Sequence, residues 1–183
     1  MKKNKKQRPF SWMNPKLEIR DTKKYGKGVF AKADLKKNET LFVIGGYILT
    51  LEDEDELVRT NNPTHDKPIE ISDLFSIGPL KDSDMKLMPQ HYVNHSCDPN
   101  SGFNGQIFLV AMKKIKKGQE VCFDYGMVMN SNTKSKSYFT MNCFCGSKKC
   151  RHIITEDDWK ILELQKRYNG YFQWFLQRKI DKK

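Results

Sequence analysis

Tyr92-Val93-Asn94-His95-Ser96-Cys97-Asp98-Pro99-Asn100 is the stretch on which the reading of this chain turns. Its second half has turn composition: proline presets φ, and Asp and Asn side chains bond their own backbone. Its first half sets chemistry-bearing groups side by side. Asn94 offers a donor and an acceptor on one amide, His95 an imidazole, and Cys97 a thiol that ligates metals once deprotonated. Asn100 closes the run and could simply cap its turn.

Downstream, residues 107–112 and 120–125 are apolar runs that flank the turn Ile115-Lys116-Lys117-Gly118, and each predicts a strand. Upstream, Gly26-Lys27-Gly28-Val29-Phe30-Ala31 reads as a glycine turn entering a buried strand, and Leu17-Glu18-Ile19-Arg20 alternates like an edge strand. Residues 40–50 form another apolar stretch, in which Gly45-Gly46 predicts a bulge or the close approach of a ligand. Residues 51–89 predict a polar, irregular insert with a short hairpin within 69–77. The insert opens on Glu52-Asp53-Glu54-Asp55-Glu56, expected to be a solvated acidic loop; attraction of a lysine-rich peptide is the alternative. Near the end, Thr155 followed by Glu156, Asp157 and Asp158 predicts a capped helix start. Ile161, Leu164 and Tyr168 would share its buried face, Asn169-Gly170 would stop it, and a second helix would run over 171–179. The class is mainly β, built of many short strands with helices at the C-terminal end.

The five cysteines are odd in number, and Cys143-Phe144-Cys145-Gly146-Ser147-Lys148-Lys149-Cys150 packs three of them tightly. Both features argue against a disulfide framework and suit a metal site in a reducing compartment. Structural zinc takes four ligands, so a fourth comes from elsewhere, and His152 is one candidate. Cys122 reads as a small hydrophobe inside a strand, and Arg151 as a charge that faces solvent.

Together these segments resemble the SET-domain family of protein-lysine methyltransferases. Residues 26–31 are similar to its first cofactor motif, and residues 92–100 to its central Asn-His-Ser-Cys-x-Pro-Asn motif. Ile115-Lys116-Lys117-Gly118-Gln119-Glu120-Val121-Cys122-Phe123-Asp124-Tyr125-Gly126 is similar to the third motif, and the cysteine run resembles the post-SET zinc segment. The resemblance covers roughly residues 17–152. It implies small curved β-sheets and a C-terminal pseudoknot, with residues 94–100 threaded beneath a loop from the end of the domain, a rare topology.

The resemblance also implies S-adenosylmethionine and zinc. It assigns Gly26, Lys27, Gly28, Val29, Tyr92, Asn94, His95 and Tyr125 to the cofactor site. Gly26 and Gly28 admit its methionine end, Asn94 bonds its amino and carboxylate groups, and His95 meets the adenine through its backbone while its imidazole packs. Cys97 matches the fourth zinc ligand beside Cys143, Cys145 and Cys150. Tyr125 is the expected catalytic residue, orienting a neutral lysine amine for direct displacement at a sulfonium carbon. Phe123 stands where the family limits the number of methyl groups; with no hydroxyl to hold a water there, di- or trimethylation is implied. The chain departs from the family where Glu-Tyr-x-Gly-Glu is common and Val43-Ile44-Gly45-Gly46-Tyr47 stands instead. Ile44 occupies the usual tyrosine position, and Tyr47 is the candidate replacement.

The 183 residues suit one domain with appendages. The expected plan is a basic flexible arm over 1–15, a SET domain over 16–130 with the insert at 51–89, a linker and zinc segment over 131–154, and a helical extension with a basic tail over 155–183. A hydrophobic content of 38% supports one modest core. The net charge of +11 sits largely at the ends: Lys2, Lys3, Lys5, Lys6 and Arg8 contribute +5 and residues 178–183 another +3. These ends are either solvated and flexible, or available for non-specific contact with a polyanion such as nucleic acid. No apolar run is long enough to cross a bilayer and none follows the basic start, so neither membrane insertion nor secretion is expected. The expected setting is intracellular: nuclear and chromatin-associated in a eukaryote, cytoplasmic in a bacterium. A monomer acting on a lysine-containing protein or peptide is expected, histones being the family's commonest substrate. The competing reading is an inactive module of the same fold that binds peptide or nucleic acid.

Overall fold

The computed structural model describes residues 9–22, 26–130 and 139–182. Residues 1–8 of the expected basic arm and 131–138 of the expected linker lie outside the described residues. Strands are numbered here in chain order; none exceeds five residues, as expected where turns follow one another closely. One sheet runs β1 (Trp12–Met13), β4 (Thr40–Val43), β10 (Phe108–Ala111), β9 (Ser101–Asn104). A second runs β2 (Leu17–Asp21), β3 (Lys27–Ala31), β11 (Glu120–Phe123), β8 (Asn94–His95). The insert contributes a third sheet, β5 (Tyr47–Thr50), β7 (Phe75–Gly78), β6 (Ile69–Glu70). The cysteine-rich segment is flanked by a two-stranded ribbon, β12 (Thr140–Asn142) and β13 (Ile153–Thr155). The helices are α1 (Leu51–Arg59), α2 (Leu162–Arg167) and α3 (Trp174–Asp181).

The first two sheets enclose the main core. Leu17, Val29, Ala31, Leu41, Phe42, Phe103, Leu109 and Val121, drawn from both sheets, are buried in one cluster. Tyr168, Phe172, Phe175 and Leu176 of the C-terminal extension join the same cluster. A second, smaller cluster holds Cys97, Cys143 and Ile154, with Tyr125, Phe139 and Met141 packed against it.

The central motif lies where its residues demand. β8 pairs in parallel with β11, Asn94 opposite Cys122 and His95 opposite Phe123. Asn100 then acts as a surrogate strand: its Oδ1 accepts from Cys122 N at 3.0 Å, and its Nδ2 donates to Glu120 O at 2.7 Å. On the other side, Arg167 Nη1 donates to the carbonyl of Cys97 at 3.2 Å. Residues 94–100 are therefore bonded to β11 and, through the Cys97 carbonyl, to the C-terminal segment.

Several expectations are corrected. The arm expected to be flexible over 1–15 is anchored from Phe10 onward, because Phe10 N donates to Leu87 O at 3.0 Å and β1 pairs with β4. The acidic run is no loop but helix α1, started by a capping box between Thr50 and Asp53. Gly45 is required by the chain itself rather than by a ligand, since a Cβ there would collide with the Phe10 carbonyl. The helix expected at Thr155 begins at Leu162 instead, because Thr155 ends β13 opposite Thr140. Ile161 is accordingly exposed, whereas Leu164 and Tyr168 are buried.

Candidate active site

The glycine turn, the central motif and the third motif converge around Asn94. Its Nδ2 donates to Glu120 Oε1 at 2.7 Å and to Lys27 O at 3.1 Å. Gly28 faces this pair: a Cβ on it would lie 2.5 Å from Glu120 Oε1, 2.8 Å from Thr22 Cγ2 and 3.0 Å from Asn94 Nδ2. The chain keeps that space open only with glycine, which makes a cradle lined by an amide and a carboxylate. Lys27 Nζ lies over the Tyr92 ring, 5.7 Å from its centroid. A cavity of about 430 Å³ opens there, lined by Ile19, Arg20, Asp21, Lys27, Lys86 and Tyr92. Gly26 makes the turn with φ 73°, and Val29 turns its side chain into the core.

His95 links this region to the cysteines. Its Nδ1 accepts from Tyr125 N at 3.1 Å and its Nε2 lies 3.3 Å from Cys97 Sγ, so the proton resides on Nε2 and points at sulfur. Burial holds the ring neutral, with its pKa lowered to about 4. The imidazole packs between the Tyr125 backbone and Cys97. Its ring meets that of Tyr125 edge-on at 5.2 Å.

Tyr125 follows β11 in a short 3-10 turn over Tyr125–Met127, capped by Asp124, whose Oδ1 accepts from Gly126 N at 3.0 Å. Burial keeps the phenol well above its ordinary pKa, so it stays protonated and acts as a hydroxyl, not a phenolate. Phe123 packs 5.1 Å from Tyr125 and 5.5 Å from Phe103, giving the tyrosine an apolar wall. Tyr47 stands on β5 with its ring 5.0 Å from Phe10, and Ile44 is buried in the core.

The sulfurs of Cys97, Cys143, Cys145 and Cys150 all lie within 4.8 Å of one another, and Cys97 Sγ is 3.9 Å from Cys143 Sγ. A tetrahedron of thiolates about 2.3 Å from zinc has edges of about 3.8 Å, so the donor set and its spacing fit that ion. Burial pushes the Cys97 thiol up to about 11, and a thiolate there needs a cation among the four sulfurs. His152 is exposed, and the four thiols gather without it. Cys122 is half-buried in β11, outside the cluster.

Sequence reasoning missed a group of charges behind Tyr125. Arg151 does not face solvent: its guanidinium clasps fully buried Asp124 at 2.6 and 2.7 Å and donates to Asp158 at 2.9 Å. Asp124 was legible in part, since a carboxylate between Phe123 and Tyr125 demands a partner. Nothing local identified Arg151 or Tyr168 as that partner. Glu120 was likewise passed over beside the more familiar residues of its motif.

A second cavity, of about 460 Å³, lies between α1, the β6–β7 hairpin and β12. Glu54, Asp66, Glu70 and Glu156 line it, together with Phe75 and Met129. Burial, and then the charges of Glu54 and Glu156, push Glu70 up to about 8 against the opposing pull of Asn130 N–H and Lys179. A carboxyl whose folded pKa is raised binds its proton more tightly when folded. Its contribution is therefore intact below about 4.5 and is lost as pH rises through about 8. Glu70→Gln should accordingly raise the melting temperature at about pH 9 by roughly 3 °C or more and leave it unchanged near pH 4. Equal shifts at both pH values would show that Glu70 is not protonated in the fold.

A SET-domain sequence profile matches residues 26–126. Among curated relatives, the Neurospora crassa protein "Histone-lysine N-methyltransferase, H3 lysine-9 specific dim-5" is 29% identical over 167 residues, covering 75% of this chain and 50% of the relative. A Saccharomyces cerevisiae histone-lysine N-methyltransferase, H3 lysine-36 specific, is 28% identical over 142 residues, covering 73% of this chain and 18% of the relative. The chain thus spans about half the length of the Neurospora relative and less of the yeast one. Among solved structures, KRYPTONITE in complex with mCHH DNA, H3(1-15) peptide and SAH superposes with a TM-score of 0.54 at 20% identity, covering 77% of this chain and 30% of that one. With the profile spanning more than half of the residues and the central motif paired in parallel with the third, this chain belongs to the SET-domain family.

Proposed function

We propose that the chain is a protein-lysine N-methyltransferase that uses S-adenosylmethionine, acts on histones or other lysine-rich proteins, and adds two or three methyl groups. One observation carries this reading: the ring of Tyr125 packs against the four-thiol cluster while its hydroxyl donates to the carbonyl of Val93, the residue before Asn94 of the Gly28–Asn94–Glu120 cradle. S-adenosylmethionine, when bound, supplies an electrophilic methyl group on a sulfonium. The Asn94 amide and Glu120 carboxylate would bond its amino-acid end, with Gly28 leaving room. The hydroxyl of Tyr125 would orient the lysine amine, and the ring of Phe123 would keep water from its side. A lysine entering these buried surroundings is favoured in its neutral, nucleophilic form, its proton passing to solvent. Phe123 offers no hydroxyl to fix a water, which leaves space for successive methyl groups.

The acidic cavity between α1 and β12 suits a basic peptide, and the histone-lysine N-methyltransferases among the relatives favour, in a eukaryotic source, a nuclear and chromatin-associated setting. The test is transfer of labelled methyl from S-adenosylmethionine to core histones and to a whole-cell protein extract, with mass spectrometry of the products. Labelled di- or trimethyl-lysine is the expected result. Absence of transfer together with absence of cofactor binding would replace the enzyme with the inactive binding module. Gly28→Ala, which intrudes on Glu120 and Asn94, should weaken S-adenosylmethionine binding by about tenfold or more in calorimetry; unchanged affinity would remove the cofactor from this cradle.

A further inference from the structure

Four distant parts of the chain meet behind Tyr125. The carboxylate of Asp124 is fully buried and accepts from Arg151 Nη1 at 2.6 Å and Nη2 at 2.7 Å. The hydroxyl of Tyr168 lies 3.0 Å from Asp124 Oδ2 and 3.2 Å from the carbonyl of Cys97, its single proton shared between these acceptors. Arg151 also donates to Asp158 through Nε at 2.9 Å, and its backbone N–H reaches Cys97 Sγ at 3.4 Å. Arg167 Nη1 supplies a further donor to the Cys97 carbonyl and the Tyr168 hydroxyl. Asp124 and Asp158 thus share the one guanidinium of Arg151, while Arg167 pairs with Glu163, and the oxygens of the Asp124 carboxylate are all engaged. The geometry matters because Asp124 immediately precedes Tyr125 and caps the turn that carries it. A shift of the carboxylate shifts the cap, and with it the tyrosine.

We propose that Arg151 and Tyr168 are positioning residues for methyl transfer: through Asp124 they fix the turn bearing Tyr125. On this reading, which rests on Tyr125 being the catalytic tyrosine, the C-terminal extension belongs to the catalytic apparatus, although neither residue touches the substrate. Bidentate guanidinium–carboxylate contacts fix orientation as well as charge, which an ammonium group does not reproduce. Tyr168→Phe removes one hydroxyl and keeps the buried ring.

The experiment compares the full chain, zinc-loaded, with Tyr168→Phe and Arg151→Lys. Arg151→Ala is avoided as the main probe because it strands a buried carboxylate. The readouts are kcat, KM for S-adenosylmethionine and for histone, zinc content, and hydrogen exchange of the peptide covering residues 124–127. Expected are a kcat lowered about tenfold in each variant, equivalent to about 1.4 kcal/mol in the barrier, with KM within about threefold and zinc unchanged. Exchange should quicken over residues 124–127 and not in the β4–β10 sheet. A lowered melting temperature with kcat and local exchange both unchanged would make the network merely structural and overturn the proposal. Should the native chain transfer no methyl, the proposed activity fails by itself, and the exchange pattern still decides whether Arg151 and Tyr168 hold the turn.

Discussion

Removal of zinc should cost the protein both its activity and the docking of its cysteine segment. The four sulfurs come from two places in the chain, Cys97 in the central motif and the other three in residues 143–150, so a bound ion closes a link between them. That link packs against Tyr125 through the small cluster that includes Cys143 and Ile154. Structural zinc sites stabilise by roughly 10 kcal/mol or more in small domains. Here Arg151 and the β12–β13 ribbon also hold the segment, which makes unfolding of the whole chain avoidable. A strong chelator should therefore reduce methyl transfer by about a hundredfold or more, expose residues 139–155 to protease, and leave the core strands protected. Added zinc should restore activity and magnesium should not, since thiolates select the softer ion. Cys143→Ser should mimic chelation, whereas Cys122→Ser, outside the cluster, should retain the metal. Full activity at a zinc content near zero would show that the thiols serve only packing.

Tyr125→Phe should separate chemistry from binding. The hydroxyl lies 3.4 Å from the Val93 carbonyl, a long hydrogen bond, while the ring is held by His95 and Phe123 at 5.2 and 5.1 Å. Its loss should change stability by no more than about 1 kcal/mol. The backbone N–H that His95 accepts is untouched, so the tautomer of His95 and its contact with Cys97 persist. Turnover should nevertheless fall roughly a hundredfold, the scale seen when one preorganised hydroxyl or amide donor is removed from a reacting centre. Cofactor affinity measured by calorimetry should remain within about threefold of native. A variant that turns over normally would move the catalytic role elsewhere on the third motif. A variant that loses cofactor binding would make Tyr125 a wall of the cradle rather than the group that orients the amine.

The sequence alone determined the strands that carry the motifs, because β-branched and aromatic residues alternate there between turns of glycine, proline and asparagine. It also determined three of the four thiols, since metal affinity resides in residue type and the cysteine run holds three at short range; Cys97 came from the family resemblance, and the fold brings it to them. The start of α1 was equally legible: Thr50 and Asp53 stand at capping-box spacing, a local signal obscured by the acidity of the residues between and beyond them. The helix expected at Thr155 failed for the opposite reason. Its local cap was present, with Thr155 Oγ1 2.9 Å from Asp158 Oδ1, but pairing with β12 outweighed it and delayed the helix to Leu162.

Only the tertiary structure decided which charges are buried. Asp124 announces its need for a partner by its place between two aromatic residues. Arg151, 27 residues later, and Tyr168, 44 residues later, become its partners only because the C-terminal segment packs back against Cys97 and the end of β11. The pairing of β3 with β11 likewise brings Gly28 against Glu120, a carboxylate the sequence left unremarked, and makes one cradle. Local sequence sets what each segment can form. The identity of a buried partner is set by which segments the fold brings within about 3 Å, where a hydrogen bond offsets the cost of removing a charge from water.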